Sequence, residues 1–132
     1  VSRPGAKAVV TDVCVPISRL AQAVEETRAD IAASGIPGPI LGHVGDGNFH
    51  AILMVDPARP DEIAVAKGLA GRMAERSLRL GGTITGEHGV GFGKLGLMAA
   101  EHGAGWQVMG AVKRALDPLN LMNPGKLVPG QA

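Results

Sequence analysis

The order of apolar segments along the chain predicts an α+β fold: a ferredoxin-like βαββαβ antiparallel sheet with both helices on one face, followed by C-terminal helices. Three observations predict it. A β-branched run occupies 8–15, two stretches of helical periodicity follow Ile17 and Pro60, and between them two apolar runs meet at Asp46-Gly47.

Ala8 to Val15 is short and rich in β-branched residues, hence a strand, and Pro16 ends it. From Ile17 to Ala33 the residues Ile17, Leu20, Ala21, Val24 and Ile31 share one helical stripe, and Ser34-Gly35 stops the helix. The runs 40–44 and 49–55 form a hairpin, because Asp-Gly supplies the positive φ values of a two-residue type I′ turn. Pro60-Asp61-Glu62 opens a second helix with acids in its first turn, its stripe runs Ala66, Leu69, Met73 and Leu80, and Gly81-Gly82 closes it. Thr83-Ile84-Thr85 is the fourth strand. Helices over roughly 94–101 and 104–116 precede the turn-rich tail Leu121-Met122-Asn123-Pro124-Gly125-Lys126.

The chain has 132 residues, enough for one domain and few for a complete two-substrate enzyme. A formal net charge of +1 from interspersed charges gives no footprint for nucleic acid or an anionic membrane surface. Its apolar runs fall far short of the roughly 20 residues that span a bilayer, so no transmembrane segment is expected. The single cysteine, Cys14, excludes an internal disulfide and reads as a buried structural thiol. The start at Val1-Ser2-Arg3-Pro4 fits a piece of a longer protein as well as a processed terminus. Twenty glycines, about twice the usual share, cluster in 42–47 and 81–96.

Centring the hairpin on Asp46-Gly47 places His43 opposite His50, with Cβ atoms roughly 5 Å apart on one face. Such a pair fits two polar residues on a solvent face, and it also fits a metal site. Glu87 in Gly86-Glu87-His88-Gly89 completes a set of two imidazoles and a carboxylate, suited to Zn²⁺, Mn²⁺ or Fe²⁺ rather than Ca²⁺ or Mg²⁺. Neighbours in an extended segment point opposite ways, so His88 is expected to face a substrate while Glu87 ligates. In a sheet of order 4-1-3-2 the fourth strand lies at an edge, so the loop 85–96 must fold back across the sheet to reach the hairpin. Asn48 has two readings, a turn-forming residue or one that orients a ligand or substrate. Lys94 reads either as a solvated helix-start residue or as an anion-steering one, and His102 as an exposed surface histidine. Gly89-Val90-Gly91-Phe92-Gly93-Lys94 is neither a phosphate loop nor a dinucleotide fingerprint, because no Ser or Thr follows the lysine and the spacing is wrong.

Taken together, the stretches 42–50, Thr85-Gly86-Glu87-His88-Gly89-Val90-Gly91 and 121–126 resemble the C-terminal part of FAD-linked oxidases that dehydrogenate D-2-hydroxy acids. Thr11-Asp12-Val13-Cys14-Val15-Pro16-Ile17-Ser18-Arg19-Leu20 is most similar to the D-lactate dehydrogenase branch of that family. The likeness covers essentially the whole chain. It implies that residues 1–132 are the substrate and metal domain of such an oxidase, and that the FAD-binding domain lies outside this sequence. It implies that His43, His50 and Glu87 bind a divalent metal, Zn or Mn, that His88 sits in the substrate pocket as proton acceptor, and that Asn123 lies near the flavin. Relatives acting on D-2-hydroxyglutarate carry Asn where this chain has Ile52 and Lys where it has Val10, which favours D-lactate or another small 2-hydroxy acid, with glycolate and D-2-hydroxyglutarate as alternatives. Alone the chain is expected not to turn over and to self-associate through the apolar surface its FAD domain would cover. The setting implied is bacterial cytoplasm, with a peripheral membrane location as a further option, or mitochondria in a eukaryote. Two readings from other classes are a metal-dependent hydrolase and a non-catalytic ferredoxin-like module.

Overall fold

The computed structural model describes residues 4–130, so the start at Val1-Ser2-Arg3 lies outside the described residues. The chain forms two compact units, Val1–His88 and Gly89–Ala132. The first holds β1 (Lys7–Val10), β2 (Val13–Cys14), α1 (Ile17–Ser34), β3 (Ile40–His43), β4 (Asn48–Val55) and α2 (Pro60–Arg79). The second holds α3 (Leu95–His102) and α4 (Ala104–Leu116). Among the described residues, four antiparallel strands and four helices make this an α+β fold.

The centre of the sheet is β4. Its odd residues Phe49, Ala51, Leu53 and Val55 are buried together with Val13 and Val15, with Ala23 and Ile31 of α1, and with Ala66, Leu69 and Met73 of α2. Both helices therefore cover one face, as the two stripes require. The expected strand 8–15 is present but broken: β1 and β2 share one uninterrupted register against β4, from Val10↔Ile52 to Val13↔Phe49, with Thr11 and Asp12 between them. Asn48 and Phe49 pair with β2 on one side and with β3 on the other, so β4 is flanked by both. The expected strand 83–85 is reduced to a bridge between Thr83 and Cys14. Its position beside β2 is nonetheless the edge position that the 4-1-3-2 order assigns.

The hairpin differs from expectation in register. His43 pairs with Asn48 and Leu41 with His50, so the connection is the four residues 44–47 and not a two-residue type I′ turn. Positive φ occurs at Gly47 (83°) and not at Asp46. The wider loop is held from outside the hairpin. The Val15 N–H donates to Gly47 O at 3.1 Å and the Cys14 thiol to Asp46 O at 3.3 Å, while the Asp46 carboxylate accepts the Asn48 N–H at 3.1 Å. A Cβ on Gly47 would lie 2.0 Å from Val15 O, so only glycine permits that approach. Cys14 is half-buried rather than fully buried, and desolvation together with the charges of Asp46 and Asp12 pushes its thiol up.

In the second unit the tail is tied to α4. The Asp117 carboxylate accepts the N–H groups of Leu121 (2.9 Å) and Met122 (2.8 Å) and pairs with Lys113. The Trp106 indole donates to Leu127 O at 2.8 Å, and Lys126 lies over the Phe92 ring at 5.5 Å from its centroid. Lys94 directly precedes α3, and His102 is the exposed last residue of that helix.

Between the two helices, Arg76 of α2 bonds Glu26 (2.8 Å), Thr27 (2.9 Å) and Asp30 (2.5 Å) of α1, and Arg79 adds a second bond to Glu26 at 2.7 Å. Hydrogen bonds from Gln22, Arg79 and Arg76 hold Glu26 at about 2, below its ordinary 4.5, and Arg76 lowers Asp30 in the same way. A depressed carboxylate pKa contributes stability that is present above the unfolded value and is lost as pH falls through the folded one. Arg76→Leu is therefore expected to lower the urea midpoint at pH 7 and to flatten its fall between pH 4.5 and about 2. An unchanged pH profile would show that the network does not couple the helices.

Candidate metal centre

Strand alternation puts His50 and Asn48 on the face of β4 opposite the helices, together with Asp12 from the opposing strand. His50 is only 5% exposed. Its environment is set by the break in the neighbouring strand. In an unbroken ladder the Thr11 carbonyl would accept the Ala51 N–H. Here the Thr11 hydroxyl takes that N–H at 2.7 Å, and the carbonyl is turned to His50 Nδ1 at 3.0 Å. A carbonyl can only accept, so Nδ1 carries the hydrogen and Nε2 is the atom presented to the rest of the site.

The carboxylate arrives from the segment after Thr83. Three successive N–H groups, of Gly86 (2.9 Å), Glu87 (3.2 Å) and His88 (3.0 Å), donate to one oxygen of Asp12, and the Thr85 hydroxyl donates to it at 2.8 Å. Asp12 is 3% exposed. Burial alone would raise its pKa, but the donors from His88, Thr85, Gly86 and Glu87 outweigh that and hold the carboxyl below its ordinary range. The backbone curls around this anion as a nest, so the segment is not extended. That corrects the expectation for Glu87 and His88: their side chains do not diverge, and His88 Nε2 lies 3.6 Å from Glu87 Oε1.

The fold brings three predicted residues together. Glu87 Oε1 lies 3.2 Å from His50 Nε2 and 3.5 Å from His43 Nε2, and one donor atom from each residue falls within 4.8 Å of the others. The shifted register makes His43 a diagonal neighbour of His50 instead of its direct partner. A slip of two residues keeps both on the same face, and their rings meet edge to face at 6.0 Å. His88 joins the cluster, its ring 5.3 Å from that of His50. Asn48 lies against Gly86, where a Cβ would be 2.5 Å from its amide, and its Oδ1 is a buried side-chain oxygen with no hydrogen-bond partner among the described residues. Asn123 belongs to the second unit, in a left-handed turn with φ 46°.

The donor set fits a divalent ion of borderline softness. It combines two imidazole nitrogens with one carboxylate and leaves positions open. Residues that carry the site without having been singled out from the sequence are Thr11 and Asp12. Their signal was present as a polar pair inside an otherwise apolar strand.

Comparison with known proteins shows the family of the chain. The family of FAD linked oxidases, C-terminal domain, matches residues 1–127, and the chain belongs to that family. It is 53% identical over 127 residues to a zebrafish protein named "Probable D-lactate dehydrogenase, mitochondrial", covering 96% of this chain and 26% of that protein. It is 42% identical over 127 residues to the mitochondrial cytochrome-type D-lactate dehydrogenase of Arabidopsis thaliana, covering 96% of this chain and 22% of that protein. A glycolate oxidase subunit of Bacillus subtilis is 37% identical over 120 residues, 90% of this chain and 26% of that protein. The chain thus spans about a quarter of the length of these relatives. Among the described residues no helix is long and apolar enough to cross a membrane.

Thr11→Val removes the hydroxyl while keeping the side-chain shape and leaves the Ala51 N–H, in a fully buried residue, without its acceptor. The expected cost is about 1–3 kcal/mol, read from urea unfolding. A midpoint equal to wild type would show that the Thr11 carbonyl can return to the ladder.

Proposed function

We propose that this chain is the substrate- and metal-holding part of a flavin-dependent dehydrogenase that oxidises a small D-2-hydroxy acid, D-lactate in the first instance, to the 2-keto acid. One observation carries the reading. With its Nδ1 hydrogen committed to Thr11, His50 turns its Nε2 to a carboxylate oxygen 3.2 Å away, and the Nε2 of a second imidazole approaches the same oxygen at 3.5 Å. Two imidazole nitrogens and a carboxylate oxygen converging on one point make the arrangement in which a divalent ion finds three ligands at once, each with the coordination it prefers.

His43 Nε2, His50 Nε2 and Glu87 Oε1 would hold the ion. When bound, the ion would lower the pKa of a substrate hydroxyl, and FAD, carried mainly by the remaining part of the full-length protein, would accept the hydride. His88 is half exposed beside the donor set, and in this reading its imidazole accepts the hydroxyl proton. Asn48 orients a ligand or substrate through its unpartnered Oδ1, and Asn123 lies near the flavin.

The small-substrate preference gains support from the sheet. Val10 and Ile52 are direct cross-strand partners on the face that carries His50, so an apolar pair stands where a longer dicarboxylate would need polar contacts. Val10 and Leu41, 54% and 50% exposed, extend that apolar face. The FAD-bearing part of the protein would cover it, and without that cover self-association is expected. The names of the eukaryotic relatives point to mitochondria as the setting in a eukaryote.

Purified wild type is expected to hold about one equivalent of Zn or Mn by elemental mass spectrometry. His50→Ala should lose it while keeping the far-ultraviolet circular dichroism of the wild type. Wild type without metal after dialysis against either ion would contradict the reading.

A further inference from the structure

We propose that Asp12 is the positioning residue of the metal centre: its carboxylate carries the segment 85–88 back across the sheet and thereby sets Glu87 Oε1 against both histidines. The inference rests on the metal reading above and goes beyond it, since Asp12 itself donates nothing to the ion.

The topology leaves a gap that something must close. Thr83 sits beside β2 at the edge of the sheet, while His43 and His50 lie on β3 and β4 beyond it. An extended continuation of the Thr83 bridge would run along the edge. Instead the chain turns at Thr85, where the Thr83 hydroxyl bonds the Thr85 backbone, and the groups that follow converge on Asp12 Oδ2: the Thr85 hydroxyl and the N–H groups of Gly86, Glu87 and His88. A carboxylate offers about four lone-pair sites over its two oxygens, between which the Glu87 N–H is shared, and its charge makes each bond stronger than a neutral one.

The second oxygen faces the other half of the site. Asp12 Oδ1 lies 3.7 Å from His50 Nδ1, the nitrogen that donates to Thr11 O, and 3.4 Å from the Glu87 N–H. A single buried group thus stands between the histidine and the carboxylate that must converge. The loop can lie this close only because residue 86 is glycine, whose missing Cβ leaves room for the Asn48 amide. The sequence places the anchor some seventy residues before the ligand it positions, next to the residue that orients His50.

The test is a cycle read as metal affinity by calorimetry with Zn²⁺ and as the visible spectrum of the Co²⁺-substituted chain. Asp12→Asn is expected to weaken binding about ten- to hundredfold, the usual effect of removing a partner that orients a ligand. Glu87→Gln is expected to weaken it at least as much. In the Asp12→Asn background Glu87→Gln should cost nothing further, because the carboxylate is already out of reach. The Co²⁺ spectrum of Asp12→Asn should match that of Glu87→Gln, a signature that general loosening of the fold would not give. Thr85→Val, which removes one donor and leaves the carboxylate in place, should give a smaller loss that likewise vanishes in the Glu87→Gln background. Additive losses, or an Asp12→Asn chain that binds Zn²⁺ like wild type, would overturn the proposal while leaving the metal site standing. A wild type that binds neither ion would overturn both.

Discussion

One carboxylate oxygen holds this architecture to its purpose. Asp12 Oδ2 gathers three consecutive backbone N–H groups and a hydroxyl from a segment that otherwise belongs to the sheet edge. Fixed dipoles aimed at one point supply this buried anion with what water would have given. It also sets a direction. Once residues 86–88 curl around the carboxylate, Glu87 and His88 both face the hairpin, and the histidines of β3 and β4 acquire a third partner.

The same interruption of the strand serves His50. A regular ladder would consume the Thr11 carbonyl, and the imidazole would be free to choose its tautomer. By substituting its hydroxyl in the ladder, Thr11 releases the carbonyl and commits Nδ1, so that a local irregularity two residues long orients one donor and anchors another. The helices take no direct part in this. Their packing on the far face, with Leu53, Leu69 and Met73 fully buried, keeps β4 rigid and so fixes where His50 and Asn48 emerge.

Much of this was legible in the sequence because periodicity is a local signal. The stripes Ile17-Leu20-Ala21-Val24 and Ala66-Leu69-Met73 placed both long helices with their ends at Ser34 and Arg79, close to the expected bounds. His43 and His50 were legible as one face of a hairpin, and Glu87 as the carboxylate to join them. The turn was not. Asp46-Gly47 favours a two-residue connection locally, but Val15 and Cys14 hold the backbone of Asp46 and Gly47 from the preceding strand and widen the loop to four residues. The site survived that error because a register shift of two preserves the face of every side chain. The fourth strand failed for a similar reason. Thr83-Ile84-Thr85 has the residues of a strand, and nothing within it announces that a carboxylate at position 12 bends it after a single bridge. Thr11 and Asp12 were visible as a polar interruption, but their effect is exerted on positions 50 and 86–88, which local pattern cannot reach.

The central claim, that the strand break commits His50 Nδ1 to the backbone and leaves Nε2 for a cation, can be read directly from imidazole ¹⁵N chemical shifts. Spectra of the metal-free and Zn²⁺-loaded chain should show a protonated His50 Nδ1 in both, with Nε2 alone moving on loading and the His43 ring responding with it. A His50 Nδ1 that loses its hydrogen when Zn²⁺ is added, or a His50 ring that does not respond at all, would contradict the account.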